Sequence, residues 1–127
     1  MRPFLSILAA GVWISISEFL RNQFLLIDTW REHYNSLGLE FPEDPINGAI
    51  WGIWSFSFAL LIWMINRKNS FLTTTLMAWL AGFVLMWIET GNMLVLPFEI
   101  LTLAIPLSVI EVVLAVWIIR KLDPSHK

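Results

Sequence analysis

The chain contains no cysteine, which excludes disulfides, iron–sulfur ligation, thiolate zinc and thiol redox mechanisms, quinone-linked disulfide chemistry included. Histidine is nearly as scarce. His33 falls in a connector and His126 at the tail, so no imidazole stands within an apolar stretch to ligate haem, and no cofactor or metal set is expected. Charged residues make up 14% of the chain and the net charge is −2. No basic patch exceeds two adjacent residues, which sets nucleic acid aside as a partner. Polar surface is also short. A hydrophobic fraction of 57% and a mean hydropathy of +0.71 exceed what a water-facing fold of this length needs.

What fills the chain is four apolar stretches, at about residues 4–27, 46–66, 71–91 and 94–119, each long enough to cross a bilayer, which takes ~20 residues. They predict an all-α fold, a four-transmembrane-helix antiparallel bundle forming one domain over residues 1–127, with the lipid bilayer as its first partner. The small-residue step Ala9-Ala10-Gly11 after Arg2 imitates a secretory signal. The apolar character runs on through Phe19 and resumes at Phe24 to Ile27, beyond the ~7–15 residues of a signal core, so the stretch reads as a span. No lipidation signal is expected.

Basic residues are distributed unevenly. Arg2, Arg67, Lys68, Arg120, Lys121 and Lys127 fall on one side, whereas the other carries Arg31 with Asp28, Glu32, Glu40, Glu43 and Asp44. The positive-inside rule then places both termini in the cytoplasm. Asn66 to Ser70 and Thr90 to Asn92 read as short turns between antiparallel neighbours. The 28–45 connector is longer. Thr29 and Glu32 stand at capping-box spacing and Gly38 is a stop signal. A short helix at the outer interface is expected there, with Trp30 and Tyr34 at headgroup level, and then extended chain through Pro42 and Pro45.

Of eight Trp, Trp30, Trp51, Trp54 and Trp87 fall near the outer boundary and Trp63 and Trp117 near the inner one, as an aromatic belt requires. Trp13 and Trp79 lie deeper and are read as packing residues. Gly48, Gly52, Ser55 and Ala59 form a small-residue stripe, expected to let a neighbouring backbone approach. The neighbour is expected to be another span of the same chain, a second protomer being the alternative.

Charges interrupt the apolar stretches at Glu18, Arg21, Glu89, Glu99 and Glu111, where each costs at least ~2.5–3.5 kcal/mol on insertion scales. Glu18 lies ~21 Å along the helix from Phe4 and Glu111 ~13 Å from Arg120, so Glu18 sits in the outer half and Glu111 near mid-membrane. Glu18 and Arg21 can pair at i,i+3, with Asn22 at i+4. The outer half of the bundle is expected to collect Glu18, Arg21, Asn22, Asn47, Glu89, Asn92 and Glu99, with Glu111 beneath. One arginine neutralises one carboxylate, so another must be hydrated, protonated or occupied by a cation. Glu111, with no basic residue at its depth, is the one expected to hold a proton, bonded to Ser108, an Asn or backbone groups. Pro106 frees a carbonyl one turn before it and predicts a kink.

The segments Ser17-Glu18-Phe19-Leu20-Arg21-Asn22, Pro45 to Gly52 and Ile105 to Glu111 resemble those of small four-span bacterial inner-membrane proteins. The resemblance implies a bacterial inner-membrane location and carries no activity with it. In size, span count and a first-span glutamate the chain is also similar to small multidrug transporters, from whose short loops and often dual topology the acidic 28–45 connector and one-sided basic residues depart.

Three functions follow as expectations. The first is binding or transport of a small cationic or polar solute in an outward-facing acidic site, with Glu18 and Glu111 as ion or proton carriers and Arg21 as counter-charge. Four spans are few for alternating access, so a homodimer is implied. The second is an intramembrane enzyme using two glutamates as acid and base on an apolar substrate, against which stands the absence of a serine beside a base. The third is an accessory or assembly subunit of a larger membrane complex, docked through Gly48 and Gly52.

Overall fold

A computed structural model describes residues 1–124; His126 and Lys127 lie outside the described residues. Every regular element among the described residues is helical. The helices are α1 (Arg2–Leu25), α2 (Ile27–Ser36), α3 (Pro45–Asn66), α4 (Phe71–Asn92) and α5 (Phe98–Leu122), and α1, α3, α4 and α5 are each long and apolar enough to cross a membrane.

Local chemistry sets the helix ends. Pro3 stands in the first turn of α1, where its missing N–H would have no partner anyway. The last residues of α1, Arg21–Leu25, widen into a π turn, closed by the Leu26 N–H donating to the Arg21 carbonyl at 2.9 Å. A single residue, Leu26, separates this turn from α2. The helix therefore begins before the Thr29 and Glu32 capping-box pair, and no side chain caps it. The capping box in that region is at α3 instead: Asp44 accepts from the Asn47 backbone and the Asn47 side chain accepts from the Asp44 N–H at 3.0 Å. Gly38 does end the α2 region, at φ +77°, a conformation glycine adopts without a Cβ penalty.

The last span starts later than the hydropathy suggested. Leu94 takes a left-handed φ of 65°, its carbonyl lies 2.8 Å from His33 Nε2, and Pro97 sits at the N-cap of the following 3₁₀ turn Phe98–Ile100. The connector from α4 to α5 therefore extends to Pro97, and Glu99 belongs to the opening turn of α5 on the exposed surface rather than inside the span.

α1 packs most extensively on α3 and α5, and α4 packs on α3 and α5. The interior is built from small and β-branched residues such as Ala10, Ala59, Ala115 and Val116 around Phe58 and Phe83. Outward positions carry Ile53, Leu72 and Ile88, each about two-thirds exposed. Close approach does not use the two glycines of the α3 stripe. A Cβ at Gly82 would stand 2.5 Å from the Phe58 ring, whereas one at Gly48 or Gly52 meets nothing within 4 Å. Within this chain Gly48 and Gly52 are therefore not packing positions, while Ser55 and Ala59, deeper on the same stripe, are buried. At the other end of the helices Arg120 Nη1 donates to Asn66 Oδ1 at 2.7 Å and Trp63 Nε1 donates to Asp123 at 2.9 Å, tying α3 to α5.

The connector is pinned at its surface. Arg31 donates twice to Glu43, at 2.7 and 2.5 Å, and Phe41 packs against Trp30 and Tyr34. The bonds from Arg31 hold the Glu43 carboxyl below its ordinary 4.5. A depressed folded-state value means that Glu43 adds stability at pH above 4.5 and loses that contribution as pH falls through its lowered value. Replacing Arg31 with Gln is expected to return the Glu43 midpoint towards 4.5, read by carboxyl carbon-13 NMR titration; an unchanged midpoint would remove Arg31 as the cause. Both groups are exposed, so the effect on global stability is small.

Candidate functional site

Ser17 and Arg21 are one helical turn apart on the α1 face turned towards α5, with Glu18 beside them facing α3. From α5, Glu111 is carried in opposite them. The guanidinium is forked: Arg21 Nη2 donates to Glu18 Oε2 at 2.5 Å and Nη1 donates to Glu111 Oε1 at 3.1 Å. Ser17 Oγ donates to the same Glu111 oxygen at 2.6 Å. Asn22 Nδ2 donates to Glu18 Oε1 at 3.2 Å, and its own Oδ1 accepts from Trp30 Nε1 at 3.1 Å, which links the cluster to α2. Glu18 and Arg21 are 5% exposed and Glu111 is fully buried. Glu111 Oε2 has no hydrogen-bond partner.

Aromatic residues frame this cluster. The Arg21 guanidinium lies 5.3 Å over the Phe83 ring, and Phe83 belongs to a second π turn, Leu80–Val84 in α4. Both wide turns thus meet at Arg21, and such turns recur at functional sites. Below, Trp13 Nε1 donates to the Glu111 backbone carbonyl at 2.9 Å. Trp79 Nε1 donates to Ser108 Oγ, which itself donates to the Ile105 carbonyl. Ser108 is therefore committed within α5 and does not hold Glu111; Ser17 does.

On the other side of Glu18 lies a cavity of about 330 Å³ between α1 and α3. Ser15, Glu18, Phe19 and Asn22 form one wall at helical spacing, Gly48, Trp51, Gly52 and Ser55 the facing wall, and Pro42 to Pro45 the connector end. The glycines make the space, since no side chain from either fills it. Among the described residues lining it none is cationic, while Glu18, Glu43 and Asp44 are acidic. In and beside this cavity Glu18, Glu43 and, behind Glu18, Glu111 are partnered by two guanidiniums, Arg21 and Arg31, while Asp44 accepts from the Asn47 backbone.

The expected constellation is thus divided. Glu18, Arg21, Glu111 and Asn22 meet; Asn47 lines the cavity while capping α3. Glu89, Asn92 and Glu99 are exposed and stand apart, because α4 and α5 turn these positions outward and Glu99 precedes the α-helical part of its span. Sequence reasoning missed Ser17, whose i,i+4 spacing to Arg21 was the available signal, and it therefore missed that a serine does stand beside a carboxylate. It also missed Phe83, which no pattern in its apolar run distinguishes. Comparison with protein-family models, with curated proteins and with solved structures gives no match.

Proposed function

We propose that the chain is a polytopic membrane protein that binds, and in a homodimer transports, a small cationic solute in the cavity between α1 and α3, exchanging it for a proton. The observation that carries this reading is the position of Glu18: a nearly buried carboxylate on the wall of a cavity without cations, sharing its one guanidinium with a second buried acid. Two acids and one arginine leave one negative charge to be met inside a low-dielectric interior, where an uncompensated charge is costly. A monovalent cation at Glu18 meets it, and so does a proton.

In this reading the four long helices form an antiparallel bundle in the bacterial inner membrane, as the resemblance to small four-span proteins implies. Both termini and the Arg67–Lys68 turn face the cytoplasm. α2 lies at the outer interface with the connector over the cavity's outer end, so the cavity is reached from outside. The Arg120–Asn66 and Trp63–Asp123 contacts close the cytoplasmic side, and transport requires a state in which they part.

Reconstituted in proteoliposomes with an imposed pH gradient, the protein is expected to take up a radiolabelled organic monocation. Glu18→Gln and the cavity-filling Gly52→Leu are expected to lower that uptake by about tenfold or more, a loss equivalent to ~1.4 kcal/mol. Since a Cβ at Gly52 meets nothing within 4 Å, the leucine enters the cavity without displacing the fold. Uptake and proton flux that survive Glu18→Gln, Glu111→Gln and Gly52→Leu would remove the proposal.

A further inference from the structure

A fully buried carboxylate oxygen without a partner is rare enough in folded proteins to call for an explanation, and Glu111 Oε2 is one. Its sister oxygen accepts from both Ser17 and Arg21, and the Arg21 group that reaches it is half of a guanidinium whose other half is spent on Glu18. Guanidinium and carboxylate pair most strongly when both N–H groups meet both oxygens. Arg21 is thus one step from a two-bond pairing with Glu111 and is held off it by Glu18.

We infer that a monovalent cation entering the cavity takes over Glu18 and releases Arg21 to close with both nitrogens on Glu111, filling the vacant Oε2. This rests on the cavity being the solute site, and it assigns the two acids different tasks. Glu18, on the cavity wall, binds the ligand. Glu111, fully buried and separated from the cavity by Glu18 and Arg21, is a positioning residue: it is where the displaced guanidinium goes. Ligand with Glu18, and Arg21 with Glu111, then form two neutral pairs and no charge is left over.

The same charge count defines the ligand. A single positive charge completes the set, and a neutral analogue leaves Arg21 on Glu18. Before the ligand arrives, the fourth charge is a proton shared by the two acids, so each cation bound releases one proton. The cavity offers the ligand an acidic wall at Glu18, side-chain amides at Asn22 and Asn47, and the rings of Phe19 and Trp51, a lining that suits an ammonium carrying a short apolar chain.

The test is isothermal titration of the full chain in nanodiscs with n-butylammonium and n-butanol, each in two buffers of different ionisation enthalpy to count protons. n-Butylammonium is expected to bind saturably with about one proton released, with the alcohol weaker by about tenfold or more. Glu111→Gln keeps the Ser17 and Arg21 bonds to its remaining oxygen and removes the charge that attracts Arg21. It is expected to fold as wild type, to bind n-butylammonium about tenfold more weakly, and to release no proton. If Glu111→Gln binds as tightly as wild type with the same proton count, the transfer of Arg21 is wrong while the cavity reading stands. If n-butylammonium fails to bind the wild type, or binds Gly48→Leu and Gly52→Leu unchanged, the cavity reading falls and this inference with it.

Discussion

Arg21→Met is expected to destabilise the protein by about 3–5 kcal/mol, because removing one partner from a buried ionic cluster leaves the others uncompensated. Two acids depend on this guanidinium. Glu18 loses its 2.5 Å partner and Glu111, fully buried, is left with Ser17. Methionine has nearly the length of the arginine stem and fills the same space, so the loss reads the charge rather than a void. The triple variant Arg21→Met/Glu18→Gln/Glu111→Gln is expected to recover most of it, since neutral groups of matched shape substitute for a buried ion cluster at little cost or with a gain of ~1–4 kcal/mol. Denaturant unfolding in detergent, followed by circular dichroism, measures both. A triple variant as unstable as Arg21→Met would mean that the charges themselves hold α1 against α5. Recovery of stability without recovery of uptake would mean that they are retained for work rather than for folding.

How far the sequence exposed this cluster differs residue by residue. The Glu18–Arg21 pair follows from spacing alone, because i,i+3 residues on a helix are neighbours and no other cation lay near Glu18 in its span. That Glu111 joins them runs against the depth count, which puts Glu18 in the outer half and Glu111 near mid-membrane with no basic residue at its level, whereas Arg21 Nη1 reaches it at 3.1 Å. The long guanidinium stem spans that difference, and the angular orientation of each helix comes from packing, here Ala10 and Ile14 of α1 among Val112 and Ala115 of α5, which no single-helix pattern encodes. For the same reason Glu89 turns outward, while Glu99 stands in the opening 3₁₀ turn of α5. The spans themselves were legible to within a few residues, except where backbone geometry overrode hydropathy. Residues Met93 to Leu96 are apolar enough to be helix, yet Leu94 at φ 65° and Pro97 break the run.

Gly48 and Gly52 show the limit most clearly. A small-xxx-small stripe permits close approach of two helices, but it equally permits an opening between them. Which occurs depends on what stands opposite. Facing these glycines on α1 are Ser15, Phe19 and Asn22, and below them the larger Phe56 and Phe58 rings of α3 meet Gly11 of α1 and Gly82 of α4. The close contacts on both sides of α3 are thereby set at those rings, and the wall above them stays apart. The cavity is the consequence of where the aromatics fall on α3, a relation between three helices that becomes readable once they are packed.

Phe83→Ala is the second change expected to have a large effect, about 3 kcal/mol. Phe to Ala in packed interiors costs ~3–5 kcal/mol, and the lower end applies because within a bilayer the loss is of packing and void formation rather than of transfer from water. The ring is 1% exposed and meets Trp54, Phe58 and Trp87 with centroids 5.7–5.9 Å away, so its removal leaves a hole in an aromatic cluster that joins α3 to α4. Phe83→Leu separates two contributions. Leucine fills most of the volume but offers no π face to Arg21, whose guanidinium stands 5.3 Å from the ring, an interaction of ~0.5–2 kcal/mol. Combining Phe83→Leu with Arg21→Met in a double-mutant cycle is therefore expected to give a coupling of about 1 kcal/mol, measured by the same denaturant unfolding. A coupling near zero would leave Phe83 as packing alone. A coupling of the expected size makes the ring the floor on which the guanidinium rests between its two acids, and ties the π turn of α4 to the position of a charge carried by α1.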